Sequence, residues 1–326
     1  MKKVTLTKFL AYLCIACLSF SLIGCGNQPK SSSPKVEPLK TLRITYVKSP
    51  LNIPSIVDKN LETVKKSFAK NNIAVTFPDI NSGAKQTEAL AAGSLDICSA
   101  LGGTSAILAA SNGVDIKIIG IYSRAPKAFN LMAKDPAIKS AADLKGKKVA
   151  GPKGTILHQI LIAALDKNGL KATDVELISM GIPASVTAML NGNVDVALVA
   201  GADVLRAEKA GAHIIANGEG LVDATIVIAT SGKFLKEHPD AVKQFLAAHK
   251  ENIEYMNKNK DSAFAYTAKE TGLQPSDVAI MAPWYNFNPT ISDKDIEELV
   301  KTQDFLLKTN LQKNKINISN LIVKLQ

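Results

Sequence analysis

ALAAGSLDI spans Ala89 to Ile97, and AMLNGNVDV spans Ala188 to Val196. Both share one pattern: Ala, a large apolar residue, two variable residues, Gly, one variable residue, an aliphatic, Asp, an aliphatic. A glycine recurs six residues beyond each Asp, as Gly102 and Gly201. In each copy the first glycine (Gly93, Gly192) fits the left-handed position that closes a helix, where a side chain would be costly. The residues beyond it read as a buried strand, with the second glycine at its carboxyl end. In open parallel sheets that edge is where ligands bind, because glycine admits close backbone approach and helix N-terminal amides point outward. Two copies therefore predict two lobes whose glycine turns face each other across a cleft. Asp96 and Asp195 stand at the opposite end of the strands, so each is expected to cap a nearby turn rather than to join an acid pair.

The rest of the chain fits this frame. TLRITYV (Thr41 to Val47) alternates like a strand, and further strands are expected at 73–77, 95–100 and 114–121, with helices over 55–70, 84–92 and 104–110. A second series has strands at 148–150, 175–180, 194–200 and 213–216 and helices over 155–167, 184–190 and 202–210. Such alternation implies parallel sheets covered by helices on both faces. Beyond Thr230 the pattern turns helical, with Val242, Phe245, Leu246, His249, Ile253 and Met256 on one face. A length of 326 residues suits two lobes, and 46% hydrophobic with 21% charged residues is a globular composition. The net charge of +10 is a diffuse lysine excess, and Lys2, Lys3 and Lys8 belong to a segment expected to be removed. No basic stripe with interleaved aromatics is present, so nucleic acid is not an expected partner.

MKKVTLTK is a basic opening, and the apolar run Phe9 to Gly24 is shorter than the roughly 20 residues that span a bilayer. It reads as a signal peptide, residues 1–25. Leu22, Ile23, Gly24 and Cys25 resemble the bacterial lipobox, in which the cysteine is lipidated and becomes the first residue. Residues 26–40, rich in Pro, Ser and Lys, read as a flexible tether. Cys14 and Cys17 leave with the signal and Cys25 carries lipid, so Cys98 stands alone as a buried, inert thiol without a disulfide or thiolate metal cluster.

Familiar catalytic motifs are missing. GKKVAGPKGT (Gly146 to Thr155) lacks the ending of a phosphate loop, because Gly151 is followed by Pro152. There is no GxGxxG, GxSxG or HExxH, and the four histidines lack metal-ligand spacing. No metal and no cofactor are expected. GTILHQILIAALDKNGL (Gly154 to Leu170) predicts a helix capped by Thr155, with the amide of Gly154 open to an oxyanion. Ser82 with Gly83, and Gly102 and Gly103 with Thr104, give similar turns in the first lobe. Arg124 stands where the chain leaves that lobe and could pair a ligand's acid group or lie on the surface. Trp284, Tyr285 and Phe287 are expected to pack at the hinge, with lining of the cleft as the alternative.

On these residues the chain resembles the solute-binding proteins of ABC importers, and among them the aliphatic sulfonate, nitrate and taurine binding family, whose relatives bind thiamine pyrimidine precursors. The resemblance lies in Ser82 to Ala106, Asp143 to Leu165, Ala188 to Val204 and HPDAVKQFL (His238 to Leu246). It implies the α/β type II periplasmic binding fold, two lobes joined by a two-crossing hinge. Lobe 1 would be 41–125 with 228–326 and lobe 2 would be 126–227, with crossings near Ala125 to Leu131 and Asp223 to Ala229. Ligand contacts would fall on Ser82, Gly83, Gly102, Gly103, Thr104, Gly154, Thr155, Ala200 and Gly201, with Arg124 as a further candidate. Implied partners are a small anionic ligand, a permease with its ATPase, and the membrane through lipid on Cys25, with the protein acting as a monomer and not as an enzyme. The sequence departs from many relatives at Ala200 and Gly201, where sulfonate binders often place bulkier residues. That difference suggests room for a larger ligand, such as a pyrimidine precursor. The cysteine-rich motif of the pyrimidine-synthase branch is absent, and an extracytoplasmic enzyme on the same fold is the alternative from another class.

Overall fold

The computed structural model describes residues 37–80 and 82–325. The expected signal peptide, Cys25 and residues 26–36 of the expected tether lie outside the described residues. From Pro38 onward the chain forms one compact unit.

The chain begins with β1 (Thr41–Arg43), α1 (Ile53–Leu61), α2 (Thr63–Ala69), β2 (Ala74–Thr76), α3 (Gly83–Ala91), β3 (Ile97–Gly102), α4 (Gly103–Ser111) and β4 (Ile116–Arg124). It crosses into β5 (Phe129–Ala133), β6 (Lys148–Gly151), α5 (Ile156–Lys167), β7 (Glu176–Ser179), α6 (Ile182–Leu190), β8 (Val196–Ala200), α7 (Ala202–Lys209) and β9 (His213–Asn217). It returns through β10 (Thr225–Ser231) and ends in α8 (Gly232–Glu237), α9 (Pro239–Lys258), α10 (Lys260–Thr271), α11 (Pro275–Met281) and α12 (Asp293–Lys308). One expected helix, 55–70, is two: Glu62 adopts φ 56°, and the buried Asp58 carboxylate accepts the N–H of Val64 at 2.9 Å to start α2.

Two sheets of the same design result. A five-stranded sheet runs β7-β6-β8-β5-β9. The other is β2-β1 joined to β3-β10-β4 by a parallel bridge between Ile44 and Ile97. In each, the strand entered by the repeated motif (β3, β8) is central. The repeated aspartates do the same work in both: Asp96 accepts the N–H of Arg43 at 2.8 Å, and Asp195 accepts that of Lys148 at 2.7 Å. Each donates its own N–H back to that residue's carbonyl at 3.0 Å. They pin the neighbouring strand rather than cap a turn, a correction to the expected role. Gly93 and Gly192 close their helices at φ 68° and 76°.

The sheets are mixed, where the alternation implied parallel ones. β10 runs antiparallel to β3 and β4, and β5 runs antiparallel to β8 and β9. These two strands are entered directly from the crossings, and without a crossover helix in the same sheet a strand cannot return parallel. The crossings touch where the N–H of Ala125 donates to the carbonyl of Asp223 at 3.1 Å.

On α9, Val242, Phe245, His249, Ile253 and Met256 are buried as the periodicity predicts, with Leu246 half-buried. Tyr285 and Phe287 are buried and stacked at 5.6 Å, with Phe287 edge-on to Tyr122, so this cluster packs, and Trp284 is half-buried beside it. Cys98 is fully buried, and burial pushes its thiol up to about 12. Among the described residues no helix is long and apolar enough to cross a membrane.

Candidate functional site

A cleft of about 210 Å³ lies between the two sheets, where helix after helix begins. Asn52 is the N-cap of α1, Gly83 opens α3, Gly102 is the N-cap of α4, Thr155 is the N-cap of α5 and Ile182 opens α6; all five residues line it. The first turn of a helix leaves its N–H groups without intrahelical partners and carries the positive end of the helix dipole. Five such ends around one cavity make it electropositive without a cation. Among the described residues that line it, none carries a charge; the polar ones are Ser49, Asn52, Gln86, Thr104, Ser105 and Thr155. A larger hollow of about 780 Å³, bordered by α9, α10 and residues 279–289, contains none of the expected site residues.

Glycine has a steric duty at Gly83. A Cβ there would stand 2.3 Å from Ser105 Oγ, so the starts of α3 and α4 can meet only because that side chain is absent. Gly102 faces the other lobe, and a Cβ there would lie 3.9 Å from Ile156 of α5.

Of the residues expected from sequence, Gly83, Gly102, Thr104 and Thr155 line the cleft. Ser82 is the exposed N-cap of α3, beside the wall. Gly103 turns instead into the core, where a Cβ would meet Leu299 at 2.9 Å. Gly154, at φ 76°, does not leave its amide open: the N–H donates to His158 Nδ1 at 3.2 Å. Thr155 does not cap α5 with its hydroxyl, which donates to the carbonyl of Pro152 at 2.8 Å.

Two further expectations are corrected. Gly201 does not open space beside it, because Pro50 of this same chain packs there: a Cβ on Gly201 would stand 2.5 Å from the Pro50 carbonyl oxygen, and Ala200 is buried. Arg124 does not line the cleft. Its Nε and Nη2 donate to the two oxygens of Asp295, and its remaining donors reach the carbonyls of Asn288 at 2.9 Å and Thr290 at 2.8 Å. Sequence reasoning missed Ser49, Pro50, Asn52 and Gln86, although NIP at 52–54 carries a start signal, an N-cap residue followed by proline in the first turn.

Burial, reinforced by the charge of Lys153, depresses His158 to about 4, and burial alone brings His249 to about 4. Both rings are neutral at pH 7, so His158 remains an acceptor for Gly154 and adds no charge to the cleft. The unfolded chain takes up these protons near 6.5 and the folded one only near 4. Stability is therefore full above about pH 6.5 and falls as the pH drops towards 4, by roughly 3 kcal/mol for each histidine. Denaturant unfolding between pH 7 and 4.5 checks this; a flat unfolding free energy across that window would contradict it.

Two mixed sheets with a cleft between them walled by helix starts define the periplasmic binding protein fold. The chain belongs to the NMT1/THI5-like family, whose model matches residues 62–263. It is 30% identical over 93% of its length to a Bacillus subtilis (strain 168) protein named "Putative aliphatic sulfonates-binding protein", covering 91% of that relative. It is 29% identical to the taurine-binding periplasmic protein of Escherichia coli (strain K12), over 62% of this chain and 65% of that one. The crystal structure of the periplasmic aliphatic sulphonate binding protein SsuA from Escherichia coli matches its fold with a TM-score of 0.78 at 24% identity, covering 89% of this chain and 94% of that one.

Proposed function

We propose that this chain is the extracytoplasmic solute-binding component of an ABC importer. Its solute is a small anion, with a sulfonate as the first expectation, and it hands that solute to a permease driven by an ATPase. The convergence of five helix starts on an uncharged cleft carries this reading, because such a site favours an anion and offers no counter-charge to a cation. The names of its relatives supply the sulfonate. The cleft lies between lobe 1 (41–125 with 228–326) and lobe 2 (126–227), which close by hinge motion at the crossings. The protein acts as a monomer held to the membrane by lipid on Cys25.

Two observations support binding of a small solute over the alternatives. The relatives that this chain matches over most of its length are named as binding proteins, which favours binding over catalysis. Pro50 packs against Gly201, so no opening lies beside that residue for a bulkier solute to enter.

A thermal-shift screen tests the reading, since a solute bound only by the folded protein raises its melting temperature. Short-chain sulfonates are expected to give a rise that nitrate, carboxylates and pyrimidines do not match. Silence across the whole panel would overturn the reading.

A further inference from the structure

Two hydroxyls in the cleft wall stand free beside a helix start. Thr104, 2% exposed, and the half-buried Ser105 belong to the first turn of α4, and both line the cleft. Neither hydroxyl has a hydrogen-bond partner among the described residues, yet neither is shut away inside the protein as the carboxamide oxygens of Asn52 and Gln86 are. A Cβ on Gly102 would stand 3.6 Å from Thr104 Oγ1, 4.0 Å from Ser105 Oγ and 3.9 Å from Ile156 Cδ1. The free hydroxyls and the aliphatic start of α5 therefore meet around one point. Carbon continues from there, since Phe129, Leu157, Ile182 and Ile226 line the same cleft. No carboxylate stands among the described lining residues, and the residues outside the described ones, 1–36, 81 and 326, include no Asp or Glu.

We propose that the solute is a sulfonate with a short, uncharged alkyl tail, and that the cleft refuses sulfonates whose tail ends in an ammonium. The inference rests on the reading of the cleft as an anion site. The first-turn amides of α4 and the hydroxyls of Thr104 and Ser105 take the acid oxygens, because donors to an ionised acceptor make the stronger hydrogen bonds. A tail leaving that seat meets Ile156 and the carbon beyond it, and each methylene it buries strengthens binding by about fourfold. An ammonium at the tail's end would give up its water and find no carboxylate, a loss that burial of the tail does not offset. A volume of about 210 Å³ is on the order of seven waters' worth of space, which fits the acid group with a tail of about three carbons.

Titration calorimetry of the purified protein with methanesulfonate, 1-propanesulfonate and 2-aminoethanesulfonate tests this, since the last two differ only by a methyl group in place of an ammonium. The propyl compound is expected to bind about tenfold tighter than methanesulfonate and at least about 100-fold tighter than the amino compound. Ser105→Ala should weaken methanesulfonate and 1-propanesulfonate by the same factor, about tenfold, because it touches only the seat of the acid group. Ile156→Ala should instead shrink the preference for the propyl compound over methanesulfonate below about threefold. Ile156→Val, expected to shrink it part of the way, serves if the alanine variant does not fold. Binding of the amino compound as tightly as the propyl one, or no gain from the longer tail, would overturn the inference and leave the anion site standing. A Ser105→Ala protein that bound both as wild type does would overturn the assigned seat. Binding of none would remove the sulfonate reading together with the inference.

Discussion

Replacing Asp295 by alanine is expected to cost about 3–5 kcal/mol of folding stability, the range for breaking a buried ion pair by removing one partner. Arg124 Nε and Nη2 meet the Asp295 oxygens at 2.5 and 2.6 Å, and the carboxylate side chain is 2% exposed. Burial alone would push that carboxyl up, but the hydrogen bonds from Arg124 and Ser292 outweigh it and hold it below the usual carboxylate range. Asp295 also closes the capping box at the start of α12, accepting from the Ser292 N–H at 2.7 Å and its hydroxyl at 2.6 Å. The alanine variant thus loses a cap and leaves a guanidinium facing only two carbonyls. For a chain of this size the melting temperature should fall by about 5–8 °C. Arg124→Met should cost a similar amount, by stranding the carboxylate instead. The double variant Arg124→Met/Asp295→Leu should cost clearly less than the sum of the singles, because the two share one interaction. Single-variant losses under about 1 kcal/mol would show that the pair behaves as an exposed one.

The position of this pair explains why its arginine looked like a ligand contact. Arg124 ends β4 just before the first crossing, and α12 reaches the second crossing as well, through Lys294 with the Asp223 carboxylate at 2.8 Å. One helix from the end of the chain therefore ties down both passages between the sheets. From sequence, an arginine at a lobe exit announces a need for an anion but not whose. The anion comes from Asp295, far along the chain, and no local pattern links the two.

The same contrast separates what could be read in advance from what could not. The repeat at 89–97 and 188–196 gave away two equivalent lobes, because a helix stop, a buried strand and a pinning aspartate are all local. Strand direction was not readable for β5 and β10, since it depends on the route the chain takes between lobes. The cleft residues divide in the same way. Gly83, Gly102 and Thr155 sit at helix starts that composition reveals. Asn52 and Gln86 belong to the wall only because the folded backbone offers carbonyls that hold their amide nitrogens. Gly201 matched Gly102 in the pattern but meets Pro50, a partner set by tertiary packing alone.

The cleft itself is tested most sharply at Gly83. Its φ is not in the left-handed region, so a side chain strains no backbone dihedral, but Ser105 Oγ and Cβ, at 2.3 and 2.8 Å from the added carbon, must both give way, which moves the start of α4 away from that of α3. Gly83→Ala should therefore weaken solute binding by about tenfold through that displacement alone. Gly83→Asp should do far more. A carboxylate at the first position of α3 is welcome to the helix, whose positive end it complements. Stability should consequently change little beyond the steric cost, while the new charge occupies the amides and repels an anion a few ångströms away. At about 4 Å and an effective dielectric near 20, two like charges repel by about 4 kcal/mol, so affinity should fall at least 100-fold. The penalty should shrink as salt is raised, to the extent that the cleft admits ions. Calorimetric titration of wild type, Gly83→Ala and Gly83→Asp at two salt concentrations reads all of this at once. If the aspartate variant bound its sulfonate no worse than the alanine variant, the helix starts could not be what holds the acid group, and the anion would have to sit elsewhere in the molecule.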